Sequence, residues 1–235
     1  MAKTINKEGN SYIFLYSTVL VLIVAFTLSL VSLWLQPIQY ANIENEKRQD
    51  ILKSVKIETT REKSKEMFEK TITRQFIVNS RGEEIPGDAF SVDLSKEVKK
   101  ACEEKRLPVY VANIKGETKY ILPVQGAGLW GPMWGYIALN EDKNTIFDAV
   151  FDHKGETPGL GAEIAHAIFS DQFIGKTIFE HGQLVSIHIK KGGSAHGPHE
   201  VDGISGGTIT SKGVEAMISN YLKCYESFLK QRHHE

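Results

Sequence analysis

Residues 202 to 231 open as Asp202-Gly203-Ile204-Ser205-Gly206-Gly207-Thr208-Ile209-Thr210-Ser211. They continue into a run where Val214, Met217, Ile218, Tyr221, Leu222, Tyr225, Phe228 and Leu229 recur at three- and four-residue steps. That spacing puts the apolar side chains on one face of a helix from about Lys212 to Gln231, and a face so apolar must pack on a core. A cofactor box is the other use such an aromatic stripe could have, and core packing is the ordinary one. Thr210 and Ser211 stand where an N-cap belongs. The small residues at 205 to 207 let another molecule approach the backbone. Thr208 presents a hydroxyl near the positive end of the helix dipole, where a phosphate would be stabilised.

Upstream of this helix the signals are short and β-like. Gln75 to Asn79 is rich in β-formers and ends in the turn-like Asn79-Ser80-Arg81-Gly82. Val109 to Ile114 and Lys119 to Val124 flank Lys115-Gly116-Glu117-Thr118, the pattern of a hairpin. Trp134 to Leu139, Thr145 to Asp152 and Gln183 to Ile189 read as further strands, and Ala162 to Ser170 as a short helix with Ile164, Ile168 and Phe169 on one face. Strands that do not alternate with long helices predict an α+β domain with an antiparallel sheet and a C-terminal helix, over residues 71–235.

The N-terminal part is of another kind. Tyr12 to Leu35 contains no Asp, Glu, Lys, Arg, His, Gly or Pro. A helix of that length rises about 36 Å against a hydrocarbon core of about 30 Å, so residues 12–35 are expected to span a membrane. The apolar stretch of a cleaved signal peptide is shorter and ends at a small-x-small site, whereas Trp34 and Gln36-Pro37 follow here, which favours a retained anchor closed by Pro37. Tyr12, Tyr16 and Trp34 sit toward its ends, where amphipathic rings settle. Residues 1–11 form a short tail whose Lys3 and Lys7 favour a cytoplasmic N-terminus; Lys47 and Arg48 beyond the span weigh the other way. Residues 36–70 read as a helical stalk with a thin apolar stripe at Ile51, Leu52 and Val55.

The 28 basic and 29 acidic residues are interspersed, so the chain lacks the one-sided basic stripe that a nucleic-acid partner needs. Cys102 and Cys224 allow at most one disulfide, and neither has metal-ligand neighbours.

Three further motifs bear on chemistry. Gly126-Ala127-Gly128-Leu129-Trp130-Gly131 matches G-x-G-x-x-G, yet Pro132 and a strand follow where a dinucleotide fingerprint must open a helix. A turn between strands is the better reading, and the Leu129-Trp130 pair in it offers a flat apolar surface for a ring. His153-Lys154-Gly155-Glu156-Thr157-Pro158-Gly159-Leu160-Gly161 lies between a strand and a helix, as a tight turn or as a loop whose free N–H groups face a ligand. His196 and His199 form His-x-x-His without a third ligand nearby, so no metal site is expected; Lys190 and Lys191 are solvated or screen an anion, and His233 and His234 read as a tail.

Ser205-Gly206-Gly207-Thr208-Ile209-Thr210-Ser211 resembles the flavinylation motif of a family of FMN-binding domains. Its members are the NqrC subunits of Na⁺-translocating NADH:quinone oxidoreductases and the flavin subunits of Rnf electron-transport complexes. The loop Glu156 to Gly161, the turn Gly128 to Gly131 and the single N-terminal span resemble the same family, and the full His153 to Gly161 stretch is more similar to the NqrC branch. Where the motif usually has Ala before the threonine, this chain has Gly207.

The resemblance implies FMN joined covalently through its phosphate to Thr208 by a flavin transferase. Ser205, Gly206, Gly207 and Ile209 would surround the attachment, and Leu129, Trp130, Glu156, Thr157, Gly159, Leu160 and Gly161 would form the cofactor site. It implies an electron-transfer subunit with no catalytic acid or base and no NADH site of its own. That subunit would work among other subunits of a bacterial inner-membrane NADH:quinone reductase that pumps Na⁺, with the flavin domain extracytoplasmic. It would stand between a membrane iron–sulfur centre and a second covalent FMN. A Rnf-type flavin subunit and a membrane-tethered binding module without redox role are the alternatives.

Overall fold

The structure is a computed structural model that describes residues 9–231. Lys3, Lys7, His233 and His234 lie outside the described residues. The chain divides into two compact units, one ending at Glu46 and one running from Lys47 to the C-terminus.

Helix α1 covers Asn10–Lys53. It does not stop at Pro37, as the sequence suggested, but continues through it. Proline removes one i→i−4 hydrogen bond, and the turns on either side keep theirs. Its apolar side chains from Ile13 to Trp34 are exposed, and an 18-residue stretch of it has a mean hydropathy of 2.5, apolar enough to cross a membrane. Beyond Glu46 the same helix enters the second unit, where Ile51, Leu52 and Val55 are fully buried in the hydrophobic core.

The second unit is built on one antiparallel sheet. After α2 (Ser64–Thr71) come β1 (Ile72–Val78), β2 (Glu84–Ile85), α3 (Leu94–Glu97), β3 (Leu107–Ile114), β4 (Glu117–Ala127), β5 (Pro132–Leu139) and β6 (Ile146–His153). The six strands stand in the order β2-β1-β3-β4-β5-β6, so each consecutive pair from β3 onward is a hairpin and short loops fix the register. β3 and β4 are joined by Lys115-Gly116, with Ile114 opposite Glu117.

The stretch 161–173 departs from the single short helix expected. It is a 3₁₀ turn at Gly161–Ala165, a four-residue helix α4 (Ala167–Ser170) and a second 3₁₀ turn at Asp171–Phe173. Tertiary packing accounts for this, since Phe151, Phe169 and Phe173 pack ring against ring under β6. The expected strand Gln183 to Ile189 is likewise divided. Its first part, β8 (Gln183–Leu184), pairs with β7 (Phe179–Glu180); its end belongs to β9 (His188–Lys190), parallel to β10 (Glu200–Asp202), with Ser186 at positive φ between them.

Helix α5 (Thr208–Lys230) lies on the sheet, chiefly against β4, with all eight stripe residues from Val214 to Leu229 buried. Burial of a side chain of this size contributes about 1.5–3 kcal/mol. Phe228 meets Phe76 and Tyr120 edge to face, and the Tyr225 hydroxyl donates to the carbonyl of Pro108 at 2.7 Å. Cys102 and Cys224 form a disulfide that pins α5 to the segment before β3.

Candidate functional site

The site lies where the N-terminus of α5 reaches the β4–β5 turn and the loop after β6, and one side chain joins all three. The Glu156 carboxylate is 5% exposed. One of its oxygens accepts the backbone N–H of Trp130 at 2.8 Å, and the other accepts the hydroxyl of Thr210 at 2.6 Å. A methyl group in place of hydrogen at Gly128 or Gly161 would collide with one or the other of these oxygens. The glycines of the two motifs are therefore the walls of a box around a carboxylate. Behind it, the N–H of Glu156 donates to His153 Nδ1 at 3.1 Å.

Thr210 and Ser211 do not cap α5. The helix begins at Thr208, with Gly207 in the cap position and no side-chain cap. Both hydroxyls are buried one turn inside, where Thr210 donates to Glu156 and Ser211 Oγ accepts the N–H of Ile204 at 3.0 Å. Anchoring the loop to neighbouring elements outcompeted a local cap. The first-turn N–H groups of an uncapped helix are left to external acceptors.

Thr208 itself is exposed and borders a cavity of about 770 Å³ that Ser205, Gly206, Lys190, Lys191 and Lys212 also line. Of the three lysines, Lys190 pairs with Glu200 at 3.1 Å and Lys212 with Glu215 at 2.5 Å. Lys191 has no ion pair among the described residues. Glu200 is held down to a pKa of about 2, first by the N–H of His196, then by Lys190 and the N–H of Gly197. Gly206 has φ +74°, which an L side chain rarely adopts, so the backbone itself asks for glycine; a methyl group there would meet only Leu160 Cδ2, the movable end of a half-exposed side chain. Gly207 has negative φ but is buried, and a methyl group there would meet Ile204 and the Gly161 backbone at 3.1–3.4 Å.

Four large apolar side chains remain on the surface of these same segments: Leu129, Trp130, Leu160 and Ile209, between 42% and 68% exposed. Thr157 and Gly159 shape the turn between Glu156 and Leu160. The Thr157 carbonyl accepts from Leu160 and Ala162, and Gly159, at positive φ, donates to the Glu163 carboxylate. Gly126 to Gly131 forms the end of β4 and the β4–β5 turn, closed by Gly128 N–H to the Gly131 carbonyl at 2.8 Å. His199 is bonded to Thr177, at 2.5 Å from its carbonyl oxygen. The sequence reading assigned Glu156 to the cofactor site but missed its role as the connection; the only local signal was an acidic residue inside a glycine-proline loop.

Comparison with known proteins bears on this arrangement. A family model described as "FMN-binding domain" matches residues 128–223, which contain the β4–β5 turn, the Glu156 loop and the start of α5. The NqrC protein of the Na⁺-translocating NADH-quinone reductase of Vibrio vulnificus is 32% identical over 219 residues, 86% of either chain. This chain belongs to the NqrC family of Na⁺-translocating NADH-quinone reductases. The Haemophilus ducreyi relative of the same name is 30% identical over 92% of this chain and 90% of its own. The crystal structure of the Parabacteroides distasonis counterpart has a TM-score of 0.80 at 46% identity, covering 85% of this chain and 98% of that one. Shewanella oneidensis NqrC shares the fold, with a TM-score of 0.68 at 23% identity over 80% of this chain and 96% of its own. The NqrC fold is therefore the antiparallel sheet with α5 across it, and the three segments joined by Glu156 fall within its FMN-binding domain.

Proposed function

We propose that this chain is a membrane-anchored flavin carrier of a Na⁺-translocating NADH:quinone reductase, with FMN joined by a phosphoester to Thr208. The observation that carries this reading is the placement of Thr208. It is an exposed hydroxyl at the first position of an uncapped 23-residue helix, on the rim of a cavity that three lysines border. A phosphate esterified there meets the helix dipole, free N–H groups and cationic side chains together. The residues fit the rest of the group too. Ser205, Gly206 and Gly207 leave the backbone open to approach, while Leu129, Trp130, Leu160, Thr157 and Ile209 offer an apolar, partly exposed bed for the isoalloxazine.

Bound FMN would supply reversible uptake and release of electrons. The protein's own contribution is to hold the ring at a surface where donor and acceptor centres in neighbouring subunits can reach it, and to set its potential. No side chain need act as acid or base. Tyr12 to Leu35 spans the bacterial inner membrane once, and the flavin domain lies on the extracytoplasmic side. The Cys102–Cys224 disulfide supports that side, because such bonds persist in oxidising compartments. A flavin transferase completes the protein after export.

The test separates esterified from merely bound flavin. Full-length protein made together with the matching transferase should give a flavin-fluorescent band on a denaturing gel, since a phosphoester survives unfolding. Thr208→Ala should abolish the band and leave the fold intact, because the side chain is exposed. Equal fluorescence from Thr208→Ala and the parent would refute the assignment.

A further inference from the structure

Resting on the FMN reading above, we propose that Glu156 is a positioning residue whose buried negative charge lowers the reduction potential of the flavin on this chain. It acts through the residues that hold the ring and does not touch the reacting atoms. Burying a carboxylate is costly, and the structure makes specific room for this one at Gly128 and Gly161. Both donors that satisfy it, the Trp130 N–H and the Thr210 hydroxyl, are neutral, so its charge is solvated but not cancelled. No ion pair to Glu156 occurs among the described residues.

The connection itself does not require a charge. A glutamine could accept from Trp130 with its oxygen and donate to the Thr210 oxygen with its nitrogen. What the carboxylate adds is a fixed field inside the site. It lies against the backbone of Trp130, beside Gly161 and its neighbour Leu160, and against Thr210, two residues from the attachment oxygen. Reduction places negative charge on a flavin ring, and a fixed anion in a poorly screened surround opposes it. The flavin would thus pass its electrons on more readily.

The experiment uses full-length protein flavinylated by the transferase, with potentials taken from spectroelectrochemical titration of the covalently bound flavin. Glu156→Gln keeps the shape and removes the charge, so the midpoint should rise. Thr210→Val keeps the charge and removes one of its two donors, so the midpoint should fall. Opposite signs support the charge; shifts of the same sign, which loosening of the site alone would give, overturn it, as do unchanged midpoints. If Glu156→Gln does not fold, Thr210→Val decides by itself: a fall supports the proposal and a rise or no change sinks it. A parent protein without a fluorescent band on a denaturing gel overturns the covalent-flavin reading and this proposal with it. A fluorescent parent with unmoved variants overturns only the role of Glu156.

Discussion

Replacing Cys102 and Cys224 with alanine should lower the stability of the domain by an amount set by the loop their bond closes. The two residues are 122 apart in sequence, so the disulfide constrains more than half of the chain in the unfolded state. The chain-entropy relation gives about 5 kcal/mol for a loop of that size, with measured losses for native bridges of about 2–5 kcal/mol. Cys224 is 2% exposed on the packed face of α5, so the alanine variant also loses some buried contact there. For a domain of this size a urea slope of about 2 kcal/mol/M converts the loss into a midpoint roughly 1–2.5 M lower. Equilibrium unfolding of the detergent-solubilised full chain, followed by tryptophan fluorescence, reads this directly, because Trp134 lies partly buried on β5. Adding reductant to the parent should reproduce the variant's curve. Curves for parent, reduced parent and variant that superimpose would refute the reasoning, since the bond would then not constrain the unfolded chain. The same pair reports the compartment, because the two cysteines in native membranes should resist alkylation until reduced.

Gly206→Ala should cut the yield of covalent flavin and cost at least about 1 kcal/mol, because the residue has positive φ; in-gel fluorescence with thermal melts compares it with the parent. Alkaline pH gives a signed prediction. Burial raises the pKa of Tyr110, Tyr221 and Tyr225 above the ordinary value near 10, so below about pH 10 their contribution is fully present. Above it the unfolded chain releases protons that the folded one keeps, and stability should fall by about 1.4 kcal/mol per pH unit for each tyrosine, about 4 for the three together. Tyrosinate absorbance of these residues should therefore appear only with unfolding; absorbance that rises on the folded protein would contradict their burial.

The sequence by itself determined the elements whose signals are local. An uninterrupted apolar run reads as a membrane helix, two β-rich runs on either side of Lys115 to Thr118 read as the β3–β4 hairpin, and the three- and four-residue stripe reads as α5 and names its buried face. Ser205 to Ser211, with the two glycine-rich loops, was enough to point to a family. Each of these depends on residues within a few positions of one another, where backbone geometry fixes what a side chain faces. The remainder was decided across distance. Glu156 and Thr210 are 54 positions apart and Cys102 and Cys224 are 122 apart, and no local period announces either pair. Thr210 and Ser211 have the chemistry of caps, yet buried partners one turn in were the better use of their hydroxyls. The stripe Ile51, Leu52 and Val55 looked like part of a stalk because the core it joins is built from residues far along the chain, and it is buried in that core. The 161–173 segment broke its helical period because three phenylalanines had a tighter packing available under β6. Local propensities differ by tenths of a kcal/mol per residue, whereas a buried hydrogen bond or aromatic contact is worth about 1 kcal/mol or more, so wherever the two conflicted the tertiary contact prevailed.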